Sequence, residues 1–190
     1  MTGLRGLFLT ALGSAAFFIG LTETAKRSSV DQTLKEITDL RPEAFMQGIY
    51  QRKFDRNGRL ETTLTATSLL DFGDRANATL INPKLRLERS PATWFIKSEH
   101  GELTPDRNEV LLSKNVIADR LENGKHSWQL IGETLEWNQK TDLVTSTNRT
   151  TLIQGSINSI GDELVIDLNT NEYKFGDNVR TQWQSASSSD

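Results

Sequence analysis

The chain contains no cysteine. That excludes a disulfide framework, a thiol nucleophile, thiolate metal ligands and lipoprotein-type acylation. Histidine is almost as scarce, with only His100 and His126. Each adjoins turn-forming residues and neither has a motif around it, so both read as surface turn positions rather than a general base or a metal pair. Gly-x-Ser-x-Gly, Walker, His-Glu-x-x-His and Gly-x-Gly-x-x-Gly patterns are all missing. No pair of carboxylates stands out as an acid and base. The chain is therefore expected to be no enzyme, with no cofactor and no metal. An excess of positive charge is also lacking: the net charge is −3, and because the first 27 residues carry +2, the rest carries −5. An acidic body does not suit a phosphate backbone, which excludes nucleic acid as a partner.

Long apolar runs are absent except for one. Gly6 to Leu21 is free of charge and holds Leu7, Phe8, Leu9, Leu12, Phe17, Phe18, Ile19 and Leu21. Eighteen helical residues reach about 27 Å, close to the roughly 30 Å hydrocarbon core. Gly13-Ser14-Ala15-Ala16 gives that helix a small-residue face suited to packing on another membrane helix. A cleaved signal peptide has a similar charge-then-apolar layout. Here, however, Phe17-Phe18-Ile19-Gly20-Leu21 continues the apolar run past the small residues, and no Ala-x-Ala site follows before Lys26. An uncleaved single-pass anchor over residues 1–25 is the expectation, followed by a charged linker or short helix over 26–42.

Beyond Arg41 the helical period disappears and alternation takes over, in runs of about 5–8 residues. Leu60, Thr62, Leu64 and Ala66 share one phase, as do Leu85 and Leu87, Trp94 and Ile96, and Leu164, Ile166 and Leu168. Turn chemistry separates the runs at Asp55-Arg56-Asn57-Gly58, Asn123-Gly124, Asn138–Asp142 and Gly176-Asp177-Asn178, while Pro83 and Pro105 mark places without a ladder hydrogen bond. These features predict an all-β domain over 43–184 with a disordered tail at 185–190. A weak repeat overlies the alternation. Trp94-x-Ile96-x-x-Glu99 matches Trp128-x-Leu130-x-x-Glu133, and Asp106–Val110 loosely matches Lys140–Val144 at the same offset. Leu168–Asn171 echoes Trp137–Lys140. Repeated hairpins predict stacked antiparallel strands in an open-ended sandwich. The tryptophans at 94, 128, 137 and 183 belong to its interior or to lipid contact rather than to a base-stacking platform.

Phe54-Asp55-Arg56-Asn57-Gly58-Arg59-Leu60, Asn82-Pro83-Lys84-Leu85, Trp94-Phe95-Ile96-Lys97-Ser98-Glu99, Leu103-Thr104-Pro105-Asp106-Arg107, Gln154-Gly155 and Val179-Arg180-Thr181 occur in an order that resembles the LptC family of lipopolysaccharide export. The resemblance covers nearly the whole chain. It departs at Ser113-Lys114, where relatives tend to carry an aromatic residue. What it implies is an open twisted β-jellyroll, a stacked antiparallel meander, tethered to the bacterial inner membrane by one helix and standing in the periplasm. Such a protein would accept lipopolysaccharide from the LptB, LptF and LptG transporter at its N-terminal edge and helix. It would pass the lipid to LptA at its C-terminal edge. By position, the resemblance puts lipid contacts at Ile49, Leu80 and Tyr173, and the inward phase adds Leu64, Ile96, Leu130 and Ile166. Structural or docking roles fall to Gly58, Gly155, Val179 and Trp183. The other reading of the same residues is a non-catalytic β-edge assembly scaffold of the cell envelope with no lipid cavity.

Overall fold

The computed structural model describes residues 41–183. The anchor expected over 1–25, the linker up to residue 40 and the tail at 185–190 lie outside the described residues. Among the described residues no helix is long and apolar enough to cross a membrane. The described residues form fourteen antiparallel strands, together with one turn of 3-10 helix at Gly73–Arg75.

Three strands are much longer than the predicted runs. β2 is Leu60–Asp71, β7 is Glu109–Glu122 and β8 is Lys125–Asn138. Each belongs to two layers at once. The first half of β2 pairs with β4 (Lys84–Arg89) and its second half with β3 (Ala78–Ile81). β7 pairs with β6 (His100–Leu103) through its first half and with β5 (Ala92–Lys97) through its second. β8 meets β10 (Thr150–Gln154) and then β9 (Leu143–Ser146). One layer thus contains β4, β5, β10, β11 (Ile157–Asp162) and β14 (Asp177–Trp183). The other contains β3, β6, β9, β12 (Leu164–Asp167) and β13 (Glu172–Lys174). β1 (Ala44–Phe54) runs beside the whole of β2. This two-layered all-β arrangement is consistent with a β-jellyroll.

The seam where strands pass between layers is built from residues with left-handed backbone. Gly48 (φ 63°), Asn82 (φ 51°), Lys114 (φ 64°), Asn115 (φ 54°) and Glu163 (φ 55°) all lie on it. Left-handed residues and bulges let a strand turn a corner without ending, which is why β7 continues through the irregularity between Ser113 and Val116. Hydrogen bonds run along the seam from Asn82 N to Glu99 O (2.8 Å) and from Glu99 N to Lys114 O (3.0 Å). Side chains add bonds from Asn82 to Thr67 (3.3 Å) and from Asn115 to Glu99 (2.6 Å). The alternation read as short strands was sound in phase. It missed the corners because a strand that bends between layers breaks its alternation there and reads as two separate runs.

The core lies between the layers, made by Leu64, Leu80, Leu87, Trp94, Leu112, Leu130, Trp137, Leu152, Ile166 and their neighbours on the inward phase. The repeat has a physical meaning here. Trp94 and Trp128 sit on either side of Arg120 across β5, β7 and β8, and their rings meet edge to face at 5.9 Å. The matching turns stack too: Gln139 donates to Asn108 O (2.7 Å), and Leu168 N donates to Asp142 O (3.0 Å). Hairpins with the same inward residue and the same turn chemistry therefore pile on one another like coils.

Candidate functional site

Opposite the seam, the two layers face each other through the tips of their hairpins. Most of this open side is laced. Arg89, at the end of β4, reaches across to Asp142 with bonds of 3.0 and 2.7 Å, and Asp142 also accepts from Trp137 Nε1 at 3.3 Å. Arg120 donates to Asn171 Oδ1 at 3.2 and 3.3 Å, contacts Glu122 at 2.9 Å, and lies 4.8 Å over the Trp128 ring. Tyr173 packs edge to face on Trp128 at 5.2 Å and donates from its hydroxyl to Gln154 (3.1 Å). Arg89 and Arg120 were not anticipated as functional residues. The signal was present: Arg89 continues the inward phase of Leu85 and Leu87, and Arg120 that of Val116 and Ala118. A charge on the buried phase of a strand needs partners on the opposite layer.

The lacing does not reach the end beside β1. There the layers enclose a cavity of about 280 Å³. Leu64, Leu69, Leu85, Leu103, Val110 and Trp137 form its apolar walls, while Lys53, Thr62, Asp71, Arg107 and Gln139 stand nearer the strand tips. Arg107 Nη2 holds both oxygens of Asp71 at 2.6 and 2.7 Å. That hydrogen bond, with Gly73 N–H and the guanidinium charge behind it, keeps the Asp71 carboxyl below the usual carboxylate range.

The expected lipid-contact residues divide in this geometry. Leu64 lines the cavity, and Ile49 packs against the core from β1. Leu80, Ile96, Leu130 and Ile166 are sealed between the layers, with at most 2% of their surface exposed. Tyr173 lies at the laced rim and is 38% exposed. All are inward or rim positions, and of them Leu64 alone lines the cavity beside β1.

Among the described residues three strands leave an edge unpaired, the short β13 beside β12 and two longer ones. β1 bonds only to β2, and β14 only to β11. Val179 and Trp183 are exposed on β14, Trp183 to 72%. On β1, Phe45, Met46, Tyr50 and Phe54 are exposed as well. Exposed apolar side chains on unpaired edges are a liability in a monomer and an asset in a protein that pairs with similar modules. Gly58 (φ 78°) and Gly155 (φ 55°) occupy tight turns beside these two edges, in the β1–β2 and β10–β11 hairpins. Among the described residues no three histidine, aspartate or glutamate side chains come together to hold a metal.

The family model for lipopolysaccharide-assembly, LptC-related proteins matches residues 8–184. The chain belongs to the LptC family. Among curated proteins none matches it in sequence. As a member of the LptC family the protein takes part in lipopolysaccharide transport in the cell envelope. A transport component of this kind is generally no enzyme. In this LptC-family chain, the matched segment contains the whole described domain, the free edges of β1 and β14 and every residue of the cavity.

Proposed function

We propose that the protein is a membrane-anchored carrier that accepts lipopolysaccharide from an inner-membrane ABC transporter through β1 and passes it to the next β-jellyroll through β14. The observation that carries this reading is the cavity beside β1, lined on both layers by inward apolar residues and flanked by an unpaired edge. Each buried CH₂ of an acyl chain contributes about 0.8 kcal/mol, so an apolar interior between two layers can draw such chains from a membrane. The partners in this reading are LptB, LptF and LptG at the N-terminal edge and LptA at the C-terminal edge. In this reading the anchor expected over 1–25 holds the domain in the periplasm. The cavity is at the small end of ligand pockets, which run from about 300 Å³ upward, so passage of a lipid with several chains requires the layers to part.

A photo-crosslinking residue at Leu64, Leu80 or Tyr173 is expected to give lipopolysaccharide adducts in energised vesicles. Adducts at Leu64 alone would limit the lipid to the cavity. None at any of the three would support the second reading, a β-edge scaffold with a permanently packed interior, which the sealed positions of Leu80, Leu130 and Ile166 favour.

A further inference from the structure

The outward residues of β1, β2, β4 and β5 collect positive charge on a chain whose body is acidic. Two cross-strand rows lie side by side there. One holds Tyr50, Thr65, Lys84 and Lys97, the other Arg52, Thr63, Arg86 and Phe95. Arg52 lies over the Tyr50 and Phe54 rings at 5.6 and 5.7 Å, and Arg86 over the Phe95 ring at 5.4 Å. The four cations and the three rings are all exposed. The carboxylates near this face are already engaged. Glu88 holds Arg86 at 2.5 Å, and Glu61 holds Lys53 at 3.4 Å. Asp119, near enough to feel the charge of Lys97, is held by His126 at 2.9 Å and Gln129 at 2.8 Å. Among the described residues no ion pair involves Lys84 or Lys97. Yet these two lysines are direct partners in the β4–β5 ladder. Like charges directly opposite on neighbouring strands destabilise a sheet, so the fold carries a repulsion that an anion would relieve. A shallow pocket of about 210 Å³ lies among Thr63, Thr65, Lys84, Phe95 and Lys97.

We propose that this outer face rests on an anionic membrane surface, Lys84 and Lys97 meeting the headgroup phosphates and Tyr50 and Phe95 seated at headgroup depth. Cations on long side chains interleaved with exposed rings are what a surface lying at the bilayer interface requires. The cations answer the charge of the leaflet, and the rings take the boundary between headgroups and acyl chains. The proposal rests on the carrier reading, in which the anchor expected over 1–25 tethers the domain. At about 3.5 Å per residue, residues 26–40 reach no farther than about 50 Å, so headgroups meet this face at high effective concentration. A free acidic protein has no such advantage. The lysines lie on the face of the sheet and not along its edge, so the contact leaves the hydrogen-bonding edge of β1 open for pairing.

The test uses the full chain, labelled with fluorotyrosine, in nanodiscs that carry a trace of gadolinium-chelating lipid. The chain has two tyrosines, so Tyr50 reports on the face and Tyr173, at the laced rim, is the internal reference. Tyr173→Phe assigns the two resonances. In discs of phosphatidylcholine mixed with phosphatidylglycerol, paramagnetic relaxation of Tyr50 is expected to exceed that of Tyr173 several times over. Discs of phosphatidylcholine alone, or salt raised to about 1 M, should erase the excess. Lys84→Gln should lower the docked population about fivefold, and Lys84→Gln/Lys97→Gln further, while Lys84→Arg/Lys97→Arg keeps it. Lys84→Gln should also raise Tm, because it relieves the lysine repulsion; a lowered Tm would mean a structural lysine and overturn the premise. An excess of equal size in both kinds of disc overturns the proposal, as does one that the double glutamine variant retains. So does a Tyr50 resonance unrelaxed in anionic discs but shifted by poly-glutamate, which would assign the face to an acidic protein. If the chain does not enter the discs at all, the anchored-carrier reading falls with the proposal. If it enters them and Tyr50 shows no excess, the proposal alone falls.

Discussion

Gly58 shows how much a single residue's backbone decides. The turn around it is organised by Asp55, whose carboxylate accepts from Asn57 N (2.8 Å), Arg59 N (2.9 Å) and Arg59 Nε (2.9 Å). The backbone bond from Arg59 comes first among the causes that hold the Asp55 carboxyl below its ordinary range. Gly58 closes the turn at φ 78°, and a Cβ placed there would meet no atom within 4 Å. The cost of a side chain is therefore conformational and not steric. Gly58→Ala should lower stability by about 1 kcal/mol, whereas Gly58→Asn, which tolerates left-handed backbone, should lose less. Chemical denaturation of the two variants checks this, and equal losses would contradict it. This turn was legible because Asp, Asn and Gly act within five residues of chain. Arg107 was not, since its partner Asp71 lies 36 residues away.

Among the elements, β4 and the β8–β9 turn carry the clearest contact between layers. The Arg89–Asp142 pair spans 2.7 Å, with side chains 9% and 17% exposed. Asp142 has φ 55°, a conformation asparagine shares readily, so Asp142→Asn removes the charge while keeping the backbone. The expected loss is about 2 kcal/mol, with faster hydrogen exchange at the tips of β4 and β9. Arg59→Gln breaks a pair whose arginine is 78% exposed and should change stability by less than about 0.5 kcal/mol. If the two losses match, the lacing contributes nothing beyond an ordinary surface pair. The strands themselves were readable from alternation. Their division between layers was not, because the inward phase shifts from even to odd positions across the seam in β2 (Leu64 and Ala66, then Leu69) and β8 (Leu130, then Leu135 and Trp137), which read locally as the end of a run.

For the whole domain, four aspartates point to a common acid response. The carboxyls of Asp55, Asp71 and Asp119 are held below their ordinary value, and that of Asp106 is lowered to about 2 by the Thr104 hydroxyl and Asn108. At Asp119 burial pushes upward, and bonds from His126 and Gln129 outweigh it. Depressed folded-state values mean that the unfolded chain takes up protons first. The stabilisation is therefore complete above about pH 4 and drains away as pH falls toward 2. A Tm flat from pH 7 to 5 and falling steadily below 4 is expected, with a shallower fall for Asp71→Asn. A Tm that rises on acidification would refute the assignment.

What the chain determines by itself is local: the period of two, the Asp-Asn-Gly turns, the inward phase and the repeated hairpin motif all follow from backbone sterics and from which side chains avoid water. Those features, read together, were enough for the all-β class, while the family was legible through the resemblance carried by six short motifs in order. The tertiary structure alone decided which hairpins face each other, and hence where the open side is laced and where it gapes. Cross-layer partners such as Arg89 with Asp142 and Arg120 with Asn171 are distant in sequence, and their meeting depends on the angle at which every corner of the seam turns. A cavity is what remains when those angles leave two apolar walls apart. No single stretch of residues encodes it.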